Sequence, residues 1–178
     1  MKKLAIATLV ALSVSAYAGD TVTVEGQRIN NAGAAAQQQY VLGVKKDFGK
    51  FAGDVSFANA QTEGTNVLST RLEAGATVSG PVGLYARAAI GQKYSNTADF
   101  NYYSVEPGIT APIGMGLTAK VGYRWRSAVD SANNDQTHTM RYAVAYALNK
   151  TDAVAVKYDR VQGDSNQKVV SVAYTVGF

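Results

Sequence analysis

The sequence has no cysteine and a single histidine among its 178 residues. Without cysteine no disulfide can cross-link the chain, and one histidine without cysteine cannot form a typical zinc site. After residue 18 there is also no apolar run of about 18 residues, the length that a membrane-spanning helix needs. We therefore expect no metal, no cofactor and no transmembrane helix in the folded part. A membrane-spanning β-barrel remains compatible with these absences, because its sequence signal is alternation rather than a long run.

The first 18 residues have the features of a secretory leader. Residues 1–3 give a charged start, residues 4–14 an apolar run, and residues 16–18 a small-x-small cleavage signal. We predict cleavage near Ala18, which leaves residues 19–178 as a single domain. Loss of two of the 17 basic residues, against 13 acidic ones, lowers the formal charge from +4 to +2. Such a small charge on an exported protein does not indicate a nucleic-acid partner.

The rest of the sequence alternates between large apolar residues and small or polar ones, which is the period of a β-strand. At the end of the chain, one face carries large apolar residues: Phe178, Val176, Tyr174, Val172 and Val170. The other face carries smaller ones: Gly177, Thr175, Ala173, Ser171 and Val169. The same division recurs upstream and predicts ten strands, at roughly 20–29, 38–48, 51–60, 67–78, 83–94, 100–112, 117–129, 138–148, 153–161 and 168–178.

The strand number depends on the first of these segments. Residues 20–29 are supported only by Val22 and Val24, but a barrel with both chain ends on the periplasmic side needs an even number of strands. Eight strands is the alternative, if residues 20–29 are a tail and another segment is misread.

The connections between the candidate strands alternate between tight and long. The tight ones are GK (49–50), SGP (79–81), GMG (114–116) and NKTD (149–152). The longer, more polar ones are QTEGTN (61–66), SNTAD (95–99), DSANNDQ (130–136) and QGDSN (162–166). Tight turns on one side and longer loops on the other are typical of an antiparallel up-and-down barrel in an outer membrane.

The two faces of the predicted strands differ in charge. Nearly all strand charges fall on the face with small residues: Lys45, Asp47, Asp54, Arg71, Glu73, Arg87, Lys93, Glu106, Lys120, Arg124, Arg126, Arg141, Lys157 and Asp159. A soluble barrel such as a lipocalin would instead place bulky apolar residues inside and charges outside. We therefore predict that the large apolar face meets lipid. Several of its aromatic residues are expected to anchor the barrel in the membrane: Tyr123, Trp125, Tyr142, Tyr174 and Phe178.

The predicted interior carries nine basic and five acidic residues. Basic rings favour anion passage, because a low-dielectric wall concentrates their field. The candidate pore-lining residues are Arg71, Arg87, Lys120, Arg124, Arg126, Arg141, Lys157, Glu73 and Glu106. In the alternative interpretation these charges pair internally and make a plugged, structural barrel. The inward glycines and alanines leave space that either water or the long basic side chains can occupy.

One proline interrupts the pattern of the sixth candidate strand. Pro107 has no N–H to donate, so we predict a β-bulge at residues 106–108.

Three segments resemble known families. The alternating terminal strand that ends in Phe178 resembles the C-terminal signature of bacterial outer-membrane barrels. That resemblance implies a Gram-negative outer membrane and recognition by the barrel-assembly machinery. The segments YSVEPG (103–108) and GYRWR (122–126) resemble strands of the small monomeric acidic-sugar porins, the oligogalacturonate and sialic-acid channels. In that family inward basic residues form tracks for anionic sugars, which implies such a role for Arg124 and Arg126. Those channels have twelve strands, whereas this sequence offers ten.

The function that we predict is a narrow outer-membrane pore for passive diffusion of small, preferably anionic solutes. Its partners would be the lipid bilayer, lipopolysaccharide and the assembly machinery. The alternatives are a non-conducting structural or interaction barrel and, more remotely, an outer-membrane hydrolase. A hydrolase would have to use His138 with Ser131, Asp130 or Asp135. Because alternation places His138 on the apolar face near the rim, we predict that the protein is not an enzyme.

Overall fold

The computed structural model describes residues 19–64, 68–95, 99–129 and 135–178. The predicted leader, residues 1–18, lies outside the described residues. Ten strands make up most of the described chain: β1 Thr21–Asn31, β2 Gln37–Asp47, β3 Phe51–Thr62, β4 Leu68–Ser79, β5 Leu84–Ser95, β6 Phe100–Gly114, β7 Leu117–Ala128, β8 Gln136–Ala147, β9 Asp152–Gly163 and β10 Gln167–Gly177. A short 3₁₀ turn, Pro81–Gly83, joins β4 to β5. Among the described residues, no helix has the length and apolar character needed to cross a membrane.

The strands form one closed antiparallel barrel. Each strand pairs with its neighbours in the sequence, and β1 pairs with β10 in a register that runs from Thr21 opposite Gly177 to Asn31 opposite Gln167. The prediction of ten strands is confirmed, and the alternative of eight is wrong. Closure explains why the weakly patterned β1 is still a strand, because an unpaired sheet edge in hydrocarbon costs several kcal/mol per polar group.

The two ends of the barrel differ in their connections. At one end, the short-turn end, the strands are joined by residues 48–50, 80–83, 115–116 and 148–151, and the C-terminal Phe178 lies there too. At the other end, the loop end, they are joined by residues 32–36, 63–67, 96–99, 129–135 and 164–166. This arrangement agrees with the tight and long connections predicted from the sequence.

The outer surface is apolar and the inward face carries small and charged residues. On β10 the side chain of Val172 is 56 % exposed, while its neighbour Ala173 is 2 % exposed. Strands of 11 to 15 residues are long enough to cross a hydrocarbon layer about 30 Å thick when tilted. The fold is therefore a transmembrane antiparallel β-barrel of ten strands.

The predicted bulge at residues 106–108 is wrong. The β6–β7 ladder is interrupted at Glu106 and Pro107, but Val105 opposite Trp125 and Gly108 opposite Gly122 share one register. The β5–β6 ladder is continuous there, with Ala86 opposite Pro107. Pro107 therefore lacks a hydrogen bond to β7, and no extra residue is inserted into β6 at this point. The register shift in β6 lies near its end instead, between Pro112 and Gly114.

Candidate functional site

The structure places every residue of the predicted pore lining inside the barrel. These side chains line two interior cavities: Arg71, Arg87, Lys120, Arg124, Arg126, Arg141, Lys157, Glu73 and Glu106. They come from strands β4 to β9, and alternation within each strand directs them all to one face. Their role in lining a conducting path stays a prediction.

The two cavities meet at a layer of arginines. The turn-end cavity, about 260 Å³ in volume, is lined by residues near the short-turn end such as Thr23 and Lys45. The loop-end cavity, about 140 Å³, is lined by residues near the opposite end such as Lys93 and Asp135. The side chains common to both are Gln27, Arg71, Arg124, Arg141 and Asp159. We call Arg71, Arg124 and Arg141 the arginine layer, because they separate the two cavities.

Glu73 on β4 is the centre of a first group of ion pairs. Its carboxylate accepts hydrogen bonds from Arg87 of β5 at 2.8 Å, from Arg124 of β7 at 2.5 Å and from the Tyr102 hydroxyl at 2.7 Å. Arg87 also donates to both carboxylate oxygens of Asp54 on β3, at 3.0 and 2.5 Å. This group of side chains therefore crosses the lumen from β3 to β7.

Glu106 on β6 is the centre of a second group. Arg141 of β8 donates from Nη1 to the Glu106 carboxylate at 2.7 Å and from Nε to Asp159 of β9 at 3.1 Å. The Tyr85 hydroxyl donates to Glu106 Oε1 at 2.9 Å, and Lys120 Nζ lies 3.7 Å from the same oxygen. Because these charged side chains of the two groups reach into the lumen from several strands, they narrow the interior as well as stabilising it.

Two acidic residues in the interior were not predicted from the sequence. Glu25 of β1 pairs with Lys157 at 2.6 Å, and Asp135 pairs with Arg126 at 2.6 Å. The period of two could have placed Glu25 inside, but β1 was too weakly patterned to give a firm register. Asp135 immediately precedes β8 in a loop, where no periodicity applies.

The basic side chains of the interior still outnumber the acidic ones. Nine basic and six acidic residues line the two cavities. Within the described part of the chain, Arg71 and Lys93 form no ion pair. In the same part, the buried Nε atoms of Arg71, Arg124 and Arg126 have no hydrogen-bond partner. The arginine layer and the loop-end cavity therefore hold unsatisfied positive charge.

The inward glycines make room for large side chains that lie against the barrel wall. A Cβ atom at Gly91 would overlap the ring of Tyr102, one at Gly108 would overlap the ring of Tyr85, and one at Gly122 would overlap the Tyr85 hydroxyl. A Cβ at Gly75 would similarly overlap the guanidinium of Arg87. Of the two occupants predicted for this space, water or a long basic side chain, a basic side chain fills it at Gly75. Tyrosine side chains, which were not predicted there, fill it at the other three positions.

The predicted anchoring residues lie on the outer surface. Tyr123, Tyr142, Tyr174 and Phe178 are exposed there and Trp125 is half-buried. Trp125 packs edge-on against Tyr103 with ring centroids 5.2 Å apart, which accounts for its partial burial. Their anchoring role stays a prediction.

His138 also lies on the outer surface, as predicted. Its Nδ1 is 2.7 Å from the Tyr123 hydroxyl. Of the residues that a hydrolase would require beside it, Ser131 and Asp130 lie outside the described residues, and Asp135 is paired with Arg126 in the interior. In the described ranges, no three His, Cys, Asp or Glu side chains are grouped so that they could hold a metal ion.

No protein-family model and no curated protein sequence matches this chain. Among solved structures, the translocator domain of the autotransporter NalP from Neisseria meningitidis aligns with a TM-score of 0.56 and 10 % identity over 97 % of this chain and 93 % of that one. The NanC porin aligns with a TM-score of 0.54 and 10 % identity over 88 % and 98 % of the two chains. The KdgM porin in complex with oligogalacturonate aligns with a TM-score of 0.48 and 11 % identity over 89 % and 99 %. The similarity to NalP and NanC concerns the fold, and the resemblance to small porins predicted from the sequence is confirmed at that level.

Proposed function

We propose that the protein is a narrow channel of the outer membrane through which small anions diffuse passively. The short-turn end, with the C-terminus, would face the periplasm and the loop end the exterior, as in other barrels of this connection pattern. Export by the predicted leader and the apolar outer surface support this location.

The excess of basic side chains where the two cavities meet is the observation that carries the proposal. Arg71, Arg124 and Arg141 border both cavities, and Arg71 forms no direct ion pair in the described part of the chain. An uncompensated cation in a low-dielectric wall is costly unless a mobile anion or water accompanies it. The arginine layer would thus attract anions and repel cations.

The size of the cavities limits the solutes. The turn-end and loop-end cavities hold about 260 and 140 Å³, and the arginine layer lies between them. Water occupies about 30 Å³ per molecule, so the two cavities correspond to about nine and about five water molecules. We therefore propose inorganic anions and small carboxylates as the solutes, rather than sugars of the kind bound by KdgM.

A structural barrel without conductance is the second candidate. The observation that favours it is the pairing across the lumen, where Glu73 joins β4 to β7 and Glu106 joins β6 to β8. If these ion pairs do not open, they would block even small ions. The same experiment distinguishes the two candidates.

Conductance in planar bilayers tests the proposal. The purified protein, placed in a KCl gradient, is expected to give small channels whose reversal potential shows preference for chloride. Arg124→Ala and Arg126→Ala are expected to reduce this preference, because each removes a positive charge from the interior. Arg71→Gln should do the same without breaking any ion pair of the described chain. Its permeability ratio should move toward that of a neutral pore.

Outward cations provide the matched controls. Arg160→Gln and Lys168→Gln remove the same charge from exposed positions on the outer face, so the ion preference should not change. Far-UV circular dichroism of each variant would establish that the barrel is intact. Absence of channels, or a preference for potassium, would contradict the proposal, and absence of channels would favour the structural barrel.

A further inference from the structure

The loop-end cavity has the composition of a binding site for an anion. Five basic side chains line it, Arg71, Lys93, Arg124, Arg126 and Arg141, against two acidic ones, Asp135 and Asp159. Both acidic groups are already engaged by arginines, Asp135 with Arg126 and Asp159 with Arg141. A cavity wall of this kind has a net positive charge that its own carboxylates do not neutralise.

Buried hydrogen-bond donors without a partner belong to three of the arginines that line this cavity. The Nε groups of Arg71, Arg124 and Arg126 are buried without a partner in the described part of the chain, and all three residues line the loop-end cavity. A buried donor without a partner is destabilising, and a charged one more so, unless water or a ligand accepts from it. Two of these arginines are held from another side: Arg124 by Glu73 and Arg126 by Asp135, and the guanidinium of Arg126 also lies 5.3 Å from the Tyr102 ring.

The volume of the cavity selects the class of anion. About 140 Å³ corresponds to four or five water molecules at about 30 Å³ each. This space accommodates an oxyanion with four oxygens around one central atom, which is considerably smaller than a sugar acid. Several arginines presenting N–H donors to one space also match the geometry in which guanidinium groups bind oxyanions.

We propose that the loop-end cavity binds a single free tetrahedral oxyanion of the phosphate or sulfate type, held by Arg71, Arg124 and Arg126. The inference rests on the proposed function in one respect, because the anion must enter through the loop end. Beyond passive diffusion, the inference places a saturable binding site for one oxyanion on the path of the diffusing anions. Because Arg71 and Arg124 also belong to the arginine layer, a bound oxyanion would slow the passage of other anions.

Calorimetric titration of the full-length mature protein in detergent, with inorganic phosphate as the probe in a low-chloride buffer, tests the site. We expect saturable binding of one phosphate per chain, competition by sulfate, and no competition by glucuronate at equal concentration. Arg71→Gln is expected to weaken phosphate binding about tenfold or more, because it removes a charged donor and breaks no ion pair in the described chain. Arg126→Gln should have a similar effect.

Arg160→Gln, on the outer face, is the matched control and should bind phosphate as the unmodified protein does. Absence of saturable phosphate binding, or an equal loss of affinity in Arg71→Gln and Arg160→Gln, would overturn the inference. Effective competition by glucuronate would contradict the inference that the cavity selects a small oxyanion over a sugar acid. Phosphate binding in a protein without channel activity would retain the site and reject the channel, whereas anion-selective channels without saturable phosphate binding would do the reverse.

Discussion

Single glycines on the inward face determine where the largest interior side chains can lie. Gly91 of β5 is directly opposite Tyr102 of β6, and Gly108 of β6 is directly opposite Tyr85 of β5. The absence of a Cβ lets each ring lie flat against the neighbouring strand while its hydroxyl reaches a carboxylate, Glu73 for Tyr102 and Glu106 for Tyr85. Glycine in a strand is otherwise unfavourable, and close approach of another group is a recognised reason for it.

Gly91→Ala is expected to lower the stability of the barrel. The new methyl group would overlap the ring of Tyr102, which is almost fully buried and cannot move without breaking its bond to Glu73. Overpacking of this kind costs about 1–3 kcal/mol. Denaturant unfolding in detergent micelles, followed by tryptophan fluorescence, would measure the change.

Gly43→Ala is the matched control for that variant. Gly43 lies on the inward face of β2, but a Cβ there would make only ordinary contacts of 3.9 Å with Ser56 and Val55. Its stability should stay within a few tenths of a kcal/mol of the unmodified barrel or rise slightly. An equal loss in both variants would contradict the role assigned to the contact between Gly91 and Tyr102.

Two turns at the short-turn end each contain a residue other than glycine with a strained, left-handed backbone conformation. Val82 in the 3₁₀ turn between β4 and β5 has φ 51°, and Met115 between β6 and β7 has φ 50°. A β-branched residue in this left-handed region is unusual, because its side chain approaches the backbone too closely. The flanking glycines, Gly83 with φ 76° and Gly116 with φ 76°, adopt the same region without strain.

Val82→Asn is expected to raise stability by about 1 kcal/mol. Asparagine tolerates the left-handed conformation, and the Val82 side chain is 84 % exposed, so little packing is lost. The measurement is the same denaturant unfolding, and Val129→Asn provides a control at an exposed position without positive φ. A stabilisation equal in both variants, or none in Val82→Asn, would contradict the assignment of strain.

At the scale of the whole molecule, the barrel is held together from inside as well as along its strands. Backbone pairing joins each strand only to its two neighbours, whereas the Glu73–Arg124 and Glu106–Arg141 ion pairs join strands three and two positions apart. These contacts brace the cross-section against flattening. The outer surface, by contrast, carries apolar residues that face lipid and do not connect strands across the lumen.

Glu73→Gln is expected to destabilise the barrel by about 3–5 kcal/mol, because it leaves the buried Arg124 and Arg87 without one of their charge partners. Glu63→Gln provides the matched control at the rim, where Glu63 pairs with Arg28 at 3.2 Å and both side chains are exposed. A surface pair of this kind contributes about 0–1 kcal/mol. Equal unfolding midpoints for the two variants would show that the interior pairs do not brace the barrel.

Much of this architecture could be predicted from local pattern. The period of two assigned inward and outward positions over β4 to β10, and the turn sequences located the strand ends within a few residues. Prediction from local pattern failed where the alternation was weak and where the effect of a proline on strand register had to be judged. Glu25 was missed in the weakly patterned β1, and Pro107 was expected to shift the register, although the strand tolerates one missing donor in place.

The sequence by itself determined that the chain forms a closed barrel with an apolar outside and a basic inside, because side-chain direction in a strand depends only on residue parity. The tertiary structure alone decided which charges meet. Glu73 and Arg124 are 51 positions apart in the chain, and they form an ion pair because barrel curvature brings β4 and β7 within reach across the lumen. Closure and strand stagger set these distances, so the arginine layer, the two cavities and the unsatisfied donors follow from the three-dimensional arrangement and not from any local pattern.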